Sequence, residues 1–376
     1  MVNLLFDSNY LFHKTLGVFA GYGSVDPSEV FSTLDERAAF IRKVSTDLCA
    51  SLKSLPSGGK VVMCVDSRSW RKDIEIVGGG YKSNRVKDET VDWSIFFQMM
   101  TSFAEHLEKM GFIFSKVNGA EGDDLLYFWS RHFNTKGENC IVVSADKDLH
   151  QLVKNTKNGS WTAVWNNNSK NSVLYVPQLW KEHLETKQEV SIFDLGSSLD
   201  PSKEKLKEFA SKVKVEEIYS RVVSIEKILS GDKGDAVPSV WVIEKNGRNH
   251  GITPKKVEAV LEYINESKWR GVTTRELLED PEFTHYLAGY LLRLIGDIDS
   301  MDNRNRVLEN LERNKKLVWL DKTVYPQDLV YDIQTDITRG DSLPRKSITA
   351  DRIKLLEGTE WVTEGYVPKK FDPFGL

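Results

Sequence analysis

The sequence predicts an α/β fold: a mostly parallel sheet flanked by helices, followed by a helical C-terminal region. Three observations carry this. Short apolar runs alternate with amphipathic stretches in the order strand–helix–strand–helix–strand–helix–strand, and such crossovers make strands parallel. Asp7, Asp66 and Asp146 each sit at or just past the end of an apolar run. After Pro177 the chain turns charged and helical. Ligands of a parallel sheet gather at the carboxyl ends of its strands, so aspartates recurring there mark a candidate site.

The elements follow in order. Val2–Phe6 reads as a strand ending in Asp7. Asp26-Pro27 with Glu29 reads as a helix start, and Val30, Leu34, Ala38, Ile41, Val44, Leu48, Leu52 and Leu55 continue it at three- and four-residue steps. Lys60–Val65 is a second buried strand before Asp66. Trp93, Phe96, Phe97, Met100, Phe103, Leu107 and Met110 mark a helix whose aromatic stripe reads as core. Phe112–Val117 is a third strand, and Cys140–Val143 a fourth. Trp161–Trp165 and Ser172–Val176 read as a hairpin across Asn166–Asn171.

A length of 376 residues, 40% hydrophobic and 28% charged, suits two domains or one enlarged domain of an ordinary folded protein. The net charge of −4 gives no whole-chain sign of nucleic-acid binding, but clustered acids would mask local basic patches. Cys49, Cys64 and Cys140 are odd in number and lack metal-ligand spacing, which argues against a disulfide framework and for a reducing compartment. No basic region precedes the first apolar run and Asp7 interrupts it. Neither a signal peptide nor a membrane association is expected. The expected location is the cytoplasm.

The acids carry the chemistry. Glu121-Gly-Asp123-Asp124 opens an apolar helical run, and Asp146-Lys-Asp148 follows the fourth strand. Each motif alone also fits a helix-dipole acid or a turn cap. Together they put carboxylates at a strand end opposite carboxylates at a helix start. Such charges repel and resist burial unless a hard, oxygen-liganded cation joins them. Residues 67–92 are basic and aromatic, with Arg68, Trp70, Arg71, Lys72, Tyr81, Lys82, Arg85 and Lys87. Beside the plain reading of a solvated loop, this mixture suits contact with phosphates and bases.

With Asp232 and Asp235 of Gly-Asp-Lys-Gly-Asp, the acid set resembles the flap endonuclease and 5′-to-3′ exonuclease family. Tyr81-Lys82-Ser-Asn-Arg85 is similar to that family's arch-base motif. Gly251-Ile-Thr-Pro-Lys255 resembles its helix–three-turn–helix hairpin. The resemblance covers roughly residues 1–265. The interposed Trp241–His250 favours the branch of T-even-type phage ribonucleases H, whereas Thr253 stands where the family has a second hairpin glycine.

The resemblance implies a PIN-like nuclease domain over 1–178 with an arch segment at 67–92, while the charged stretch at 179–224 reads as a helical connection longer than that branch usually carries. The resemblance also implies a helix–three-turn–helix element at 225–267 and a helical region at 268–376. It implies two or more Mg²⁺ or Mn²⁺ ions held by Asp7, Asp66, Glu121, Asp123, Asp146, Asp148, Asp232 and Asp235, with K⁺ as a further candidate at the hairpin. Lys82 and Arg85 would meet the scissile phosphate. Arg68, Arg71, Lys72, Tyr81, Lys245, Arg248, Lys255 and Lys256 would contact nucleic acid. The substrates would be branched or nicked duplex DNA and RNA–DNA hybrids, cut by a monomer that removes RNA primers and adjacent DNA.

Competing readings are a PIN-type ribonuclease, which needs neither Asp232–Asp235 nor the hairpin, a Toprim-type nuclease, whose first strand ends in Glu where this chain has Asp7, and a non-catalytic structure-specific binder. In the tail at 369–376, Phe371, Phe374 and Leu376 either pack on the last helices or form a docking peptide for a sliding clamp or a single-stranded-DNA-binding protein.

Overall fold

The computed structural model describes residues 2–19, 31, 33–56, 58–76, 79–85, 91–168, 172–178, 206 and 208–344. In chain order these form β1 (Val2–Asp7), α1 (Ser8–Phe19), α2 (Leu34–Ser54), β2 (Val61–Cys64), α3 (Trp93–Lys109), β3 (Ile113–Ser115), α4 (Gly122–Thr135) and β4 (Asn139–Val143). Next come β5 (Lys154–Asn155), β6 (Trp161–Asn166), β7 (Val173–Pro177), β8 (Lys214–Ile218), α5 (Ser220–Ser230), β9 (Ile243–Lys245) and β10 (Arg248–His250). Then follow α6 (Pro254–Glu266), α7 (Thr274–Glu279), α8 (Pro281–Ile295), α9 (Met301–Val318) and α10 (Gln327–Ser342). The chain divides into two units. One draws on Met1–Ser67, Lys87–Ile218 and Asp328–Leu376, the other on Arg68–Val86 and Tyr219–Gln327.

The first unit is the expected α/β body. Its sheet runs β3-β2-β1-β4-β6-β7-β8, with β5 pairing β6. The pairs from β3 to β6 are parallel, β6–β7 is antiparallel, and β7–β8 is parallel again. The central strands are buried on both faces, as parallel strands must be. Val2, Leu4, Phe6, Val61, Met63, Ile141 and Val143 join one cluster with α1, α2 and α3, where Phe12 meets Phe40, Phe96 and Phe103 edge-on at 5.7–5.8 Å. The alternate residues turn toward α4, whose Trp129 indole donates to Ser115 at 2.9 Å. Successive strands step outward from β1 to β2 to β3, and α4 then carries the chain back to β4 on the other side of β1. That reversal opens a crevice at the carboxyl ends of β1 and β4.

The long amphipathic helix is present. Its described start is Thr33, in a reciprocal capping box with Glu36; the expected start at Asp26-Pro27 lies outside the described residues. The hairpin forms, with Val164 opposite Tyr175. One expectation fails. Lys214–Ile218, read as part of a charged helical stretch, is an edge strand parallel to β7. Its Lys-Val-Glu-Glu-Ile sequence has no strong helical or strand pattern, and pairing to β7 decides. Residues 179–205 lie outside the described residues. So does the tail at 369–376, with Phe371, Phe374 and Leu376.

The second unit has its own core, built by α5, α6, α8 and α9 around Ile228, Val260, Leu291 and Leu311. Ile76 and Tyr81 are buried in it. The interposed Trp241–His250 contains a two-stranded ribbon, β9–β10, closed by Asn246 and Gly247 at φ 54° and 68°. Two consecutive left-handed residues are what a two-residue hairpin turn demands. Trp241 anchors the ribbon's base by donating its indole N–H to Asp297 at 2.8 Å.

Candidate active site

The first unit assembles six of the expected carboxylates from four pieces of chain: Asp7 ends β1, Asp66 follows β2, Glu121 and Asp123 open α4, and Asp146 and Asp148 follow β4. Asp7 is buried at the start of α1, and its carboxylate accepts from the backbone N–H groups of Asn9 and Tyr10, the latter at 2.9 Å. Ser144 donates its hydroxyl to the other Asp7 oxygen at 2.7 Å. Burial pushes the Asp7 carboxyl up to about 6, and the charge of Asp146 adds to this against the three hydrogen bonds.

Asp66 is held from both sides. The Asn9 amide donates to one oxygen, and the backbone N–H of Gly122 donates to the other. A Cβ on Gly122 would lie 2.8 Å from that second oxygen. Only glycine lets the carboxylate reach the first turn of α4. Glu121 caps α4, and Asp124, fully buried, accepts from the Glu121 backbone N–H at 2.9 Å. Asp124 is therefore the helix-start acid of a capping box. Asp146 caps the 3₁₀ turn Lys147–Leu152 by accepting from the Asp148 N–H at 2.8 Å.

Asp7, Asp66 and Asp123 all act on Cys64, and Asp146 acts on Asp7. Burial pushes the Cys64 thiol at the end of β2 well up, and Asp336, Asp7, Asp123 and Asp66 add their charges. The donors are all carboxylate oxygens, which suits a hard divalent cation such as Mg²⁺ or Mn²⁺ and not a soft one. Among the described residues no three His, Cys, Asp or Glu side chains already converge on one point. The set fits an ion that keeps part of its water shell.

A family model described as the 5′-3′ exonuclease N-terminal, resolvase-like domain matches residues 5–185. Over residues 5–185 the chain is thus similar to that exonuclease domain. Among curated proteins, the ribonuclease H of enterobacteria phage T4 is 23% identical over 246 residues, 62% of this chain and 63% of that protein. The chain thus matches under two thirds of that relative's length. Among solved structures, the T5 D15 protein co-crystallised with metal ions aligns over 90% of this chain and 99% of its own, at TM-score 0.51 and 15% identity, which is a likeness of fold.

The second unit holds the remaining residues singled out by the resemblance to exonucleases, and it arranges them differently from the sequence expectation. Gly231 ends α5 at φ +73°, where a Cβ would strike the Val237 carbonyl at 2.4 Å. The loop 231–238 can close on itself only because of it. Within that loop burial alone would raise the Asp232 carboxyl, but Lys227 and the N–H groups of Gly234 and Asp235 hold it below its usual range. Asp235 takes Arg85, the Tyr81 hydroxyl at 3.1 Å and the Lys82 ammonium at 3.9 Å. Lys82 sits at φ 59°, and its N–H donates to the Asp235 carbonyl at 2.8 Å. The two expected catalytic cations therefore rest on an expected metal ligand.

Three residues expected to contact nucleic acid have protein partners in the second unit. Arg71 is buried, with its guanidinium over the rings of Trp70 and Tyr325, because the 3₁₀ turn Trp70–Asp73 tucks it inward. Tyr81 is buried, with its hydroxyl on Asp235. Lys256 turns back to the Gly251 carbonyl at 3.0 Å, and burial with Lys245 nearby lowers its ammonium. Arg68, Lys72, Lys245, Arg248 and Lys255 are exposed, with Arg68 paired to Asp73. Thr253 caps α6 by its backbone, ahead of Pro254 at the first turn. Asn9, Ser144 and Gly122 were not anticipated. The only sequence signal for them is their place within two residues of an expected ligand.

Proposed function

We propose that this chain is a divalent-metal-dependent 5′-to-3′ exonuclease and flap endonuclease that removes RNA primers and adjacent DNA during lagging-strand replication. The observation that supports it most is the carboxylate crevice at the strand reversal between β1 and β4, in a domain of this nuclease family. Asp7, Asp66, Glu121, Asp123, Asp146 and Asp148 would hold Mg²⁺ or Mn²⁺, and Asp232 and Asp235 are further candidate ligands. A bound ion would lower the pKa of its water and stabilise the leaving oxygen.

The chain's own residues prepare for that. Ser144, Asn9 and the first turns of α1 and α4 fix Asp7 and Asp66 through neutral donors. Lys82 and Arg85 would exchange Asp235 for a phosphate and offset developing charge. Exposed Lys245, Arg248 and Lys255 would grip the duplex backbone, with the N-terminus of α6 offered to a phosphate. The tail would dock a sliding clamp or a single-stranded-DNA-binding protein.

The test is cleavage of a 5′-labelled flap, a nicked duplex and an RNA-primed duplex, in Mg²⁺ or EDTA. Metal-dependent release of short 5′ products from these substrates is expected. Cleavage confined to single-stranded RNA would move the chain to the PIN-type ribonuclease reading, and no cleavage in any metal would leave it a binding protein.

A further inference from the structure

We infer that Asn9 is a positioning residue that ties Asp7 to Asp66 and thereby sets the affinity of the crevice for a divalent cation. The inference rests on the metal reading above. Asn9 lies in the first turn of α1, directly beyond β1. Its backbone N–H donates to the Asp7 carboxylate, and its side-chain Nδ2 donates to Asp66 Oδ2. One residue thus bridges the ends of two adjacent strands.

The amide orientation follows from chemistry. An ionised carboxylate only accepts, so the NH₂ group must face Asp66. The carbonyl oxygen Oδ1 is then turned elsewhere. It is buried and meets no protein donor among the described residues. A buried acceptor without a donor is costly, and this one sits beside two carboxylates. A water carried on a hydrated cation has the hydrogen it lacks.

The choice of an amide matters. A lysine or arginine here would hold Asp66 more strongly but would cancel the charge that a cation needs. Asn9 orients both acids and leaves both charges in place. Partners of this outer kind typically change metal affinity by about 10–100-fold.

The experiment titrates Mn²⁺ into the metal-free full chain without nucleic acid and follows free Mn²⁺ by electron paramagnetic resonance. Asn9→Ala is expected to weaken binding about tenfold or more, while Asn9→Ser, whose hydroxyl can still donate to Asp66, recovers most of it. Thermal midpoints in EDTA should stay close to one another. Where Asn9→Ala is unstable, Asn9→Val makes the same comparison with the volume filled and the donor absent.

Mn²⁺ binding unchanged by the loss of the amide overturns the inference, as does an Asn9→Ser chain that folds yet binds as weakly as Asn9→Ala. A natural chain that binds no Mn²⁺ sinks the metal reading itself. An Asn9-dependent Mn²⁺ site on a chain that cuts no flap keeps the inference and removes the nuclease reading.

Discussion

The acids of the first unit and those of the second are treated in opposite ways. Asp7 and Asp66 are held by neutral donors: a serine hydroxyl, an asparagine amide and backbone N–H groups. Asp232 and Asp235 are held by ammonium and guanidinium groups, Lys227 on one and Arg85 with Lys82 on the other. The consequences differ in sign. Asp7 is pushed up to about 6, chiefly by burial, while Asp232 is held below its ordinary range despite burial. Neutral donors fix geometry without adding positive charge, which suits a site that takes a cation. Cationic partners satisfy the charge at once. The lesson is that burial and partner act together: deep burial with neutral donors raises Asp7, and partial burial beside a cation lowers Asp232.

The largest expected effect tests the uncompensated side. Asp146→Asn removes one charge from the crevice without altering its shape. Cleavage of a labelled flap in Mg²⁺ is expected to fall by at least about 10³-fold, in keeping with the several kcal/mol that metal stabilisation of a transition state supplies. Duplex binding in a filter or anisotropy assay should hold or tighten, because a repulsive charge has gone. Turnover close to that of the natural chain would remove Asp146 from the ion site.

Next is the cation-held side. If Lys82 leaves Asp235 for a substrate phosphate, Lys82→Ala should lower the single-turnover rate at saturating enzyme by about 10²–10³-fold, with a smaller effect on binding. If Lys82 serves only to neutralise Asp235, the rate should hold and the second unit should lose stability instead. The two outcomes separate a catalytic contact from a structural one.

How far this contrast could be read from the sequence depends on what each feature needs. Strand-end aspartates were legible because an apolar run that stops on an acid is a local signal, and three of them recur at one end of a parallel sheet. Asn9 was not, since a bridge between β1 and β2 exists only after the sheet pairs. Gly122 reads as an ordinary helix-start glycine until the Asp66 oxygen is seen against it. In the basic, aromatic segment around Arg71 and Tyr81, composition cannot tell which cations face inward; burial over Trp70 and Tyr325 is a tertiary outcome. The edge strand Lys214–Ile218 was illegible for the same reason, since its identity comes from β7.

A third test asks whether the uncompensated charge costs stability. The folded Asp7 carboxyl titrates near 6, against an ordinary value of 3.8. Below about pH 4 both states are protonated and there is no penalty. Between the two values the unfolded chain ionises first, so folding weakens as pH rises, and above about 6 a constant penalty of ~3 kcal/mol remains. Asp7→Asn keeps an oxygen for the α1 N–H groups and turns an NH₂ toward the Ser144 hydroxyl, which can accept, but it carries no charge. In EDTA at pH 7–8 it should raise the thermal midpoint by several degrees, flatten stability between pH 4 and 6, and abolish cleavage. A lower midpoint would mean that the ionised carboxylate is worth more to the fold than its burial costs.

The smallest effect is a control placed in the first unit itself. Asp341, near the end of α10, is an acid held by two cations, Lys60 at 2.7 Å and Lys136 at 2.6 Å, with the His132 ring at 3.1 Å. Lys60 is nearly buried, and α10 packs so closely that a Cβ on Gly340 would lie 2.7 Å from Ile113. Burial alone would raise the Asp341 carboxyl, but these partners hold it far below the usual carboxylate range. The sign is therefore opposite to that of Asp7. Its contribution is present above the ordinary carboxylate pKa and is lost as pH falls below it. Asp341→Ala should cost about 1–3 kcal/mol at pH 7, the range for removing a hydrogen-bonded charged partner. It should cost less at each step toward pH 2, and leave flap cleavage per folded molecule unchanged. Urea unfolding at pH 7 and pH 3 measures it. If Asp341→Ala stabilised the chain as Asp7→Asn is expected to, the first unit would penalise its acids whatever their partners, and the contrast between neutral and cationic donors would fail.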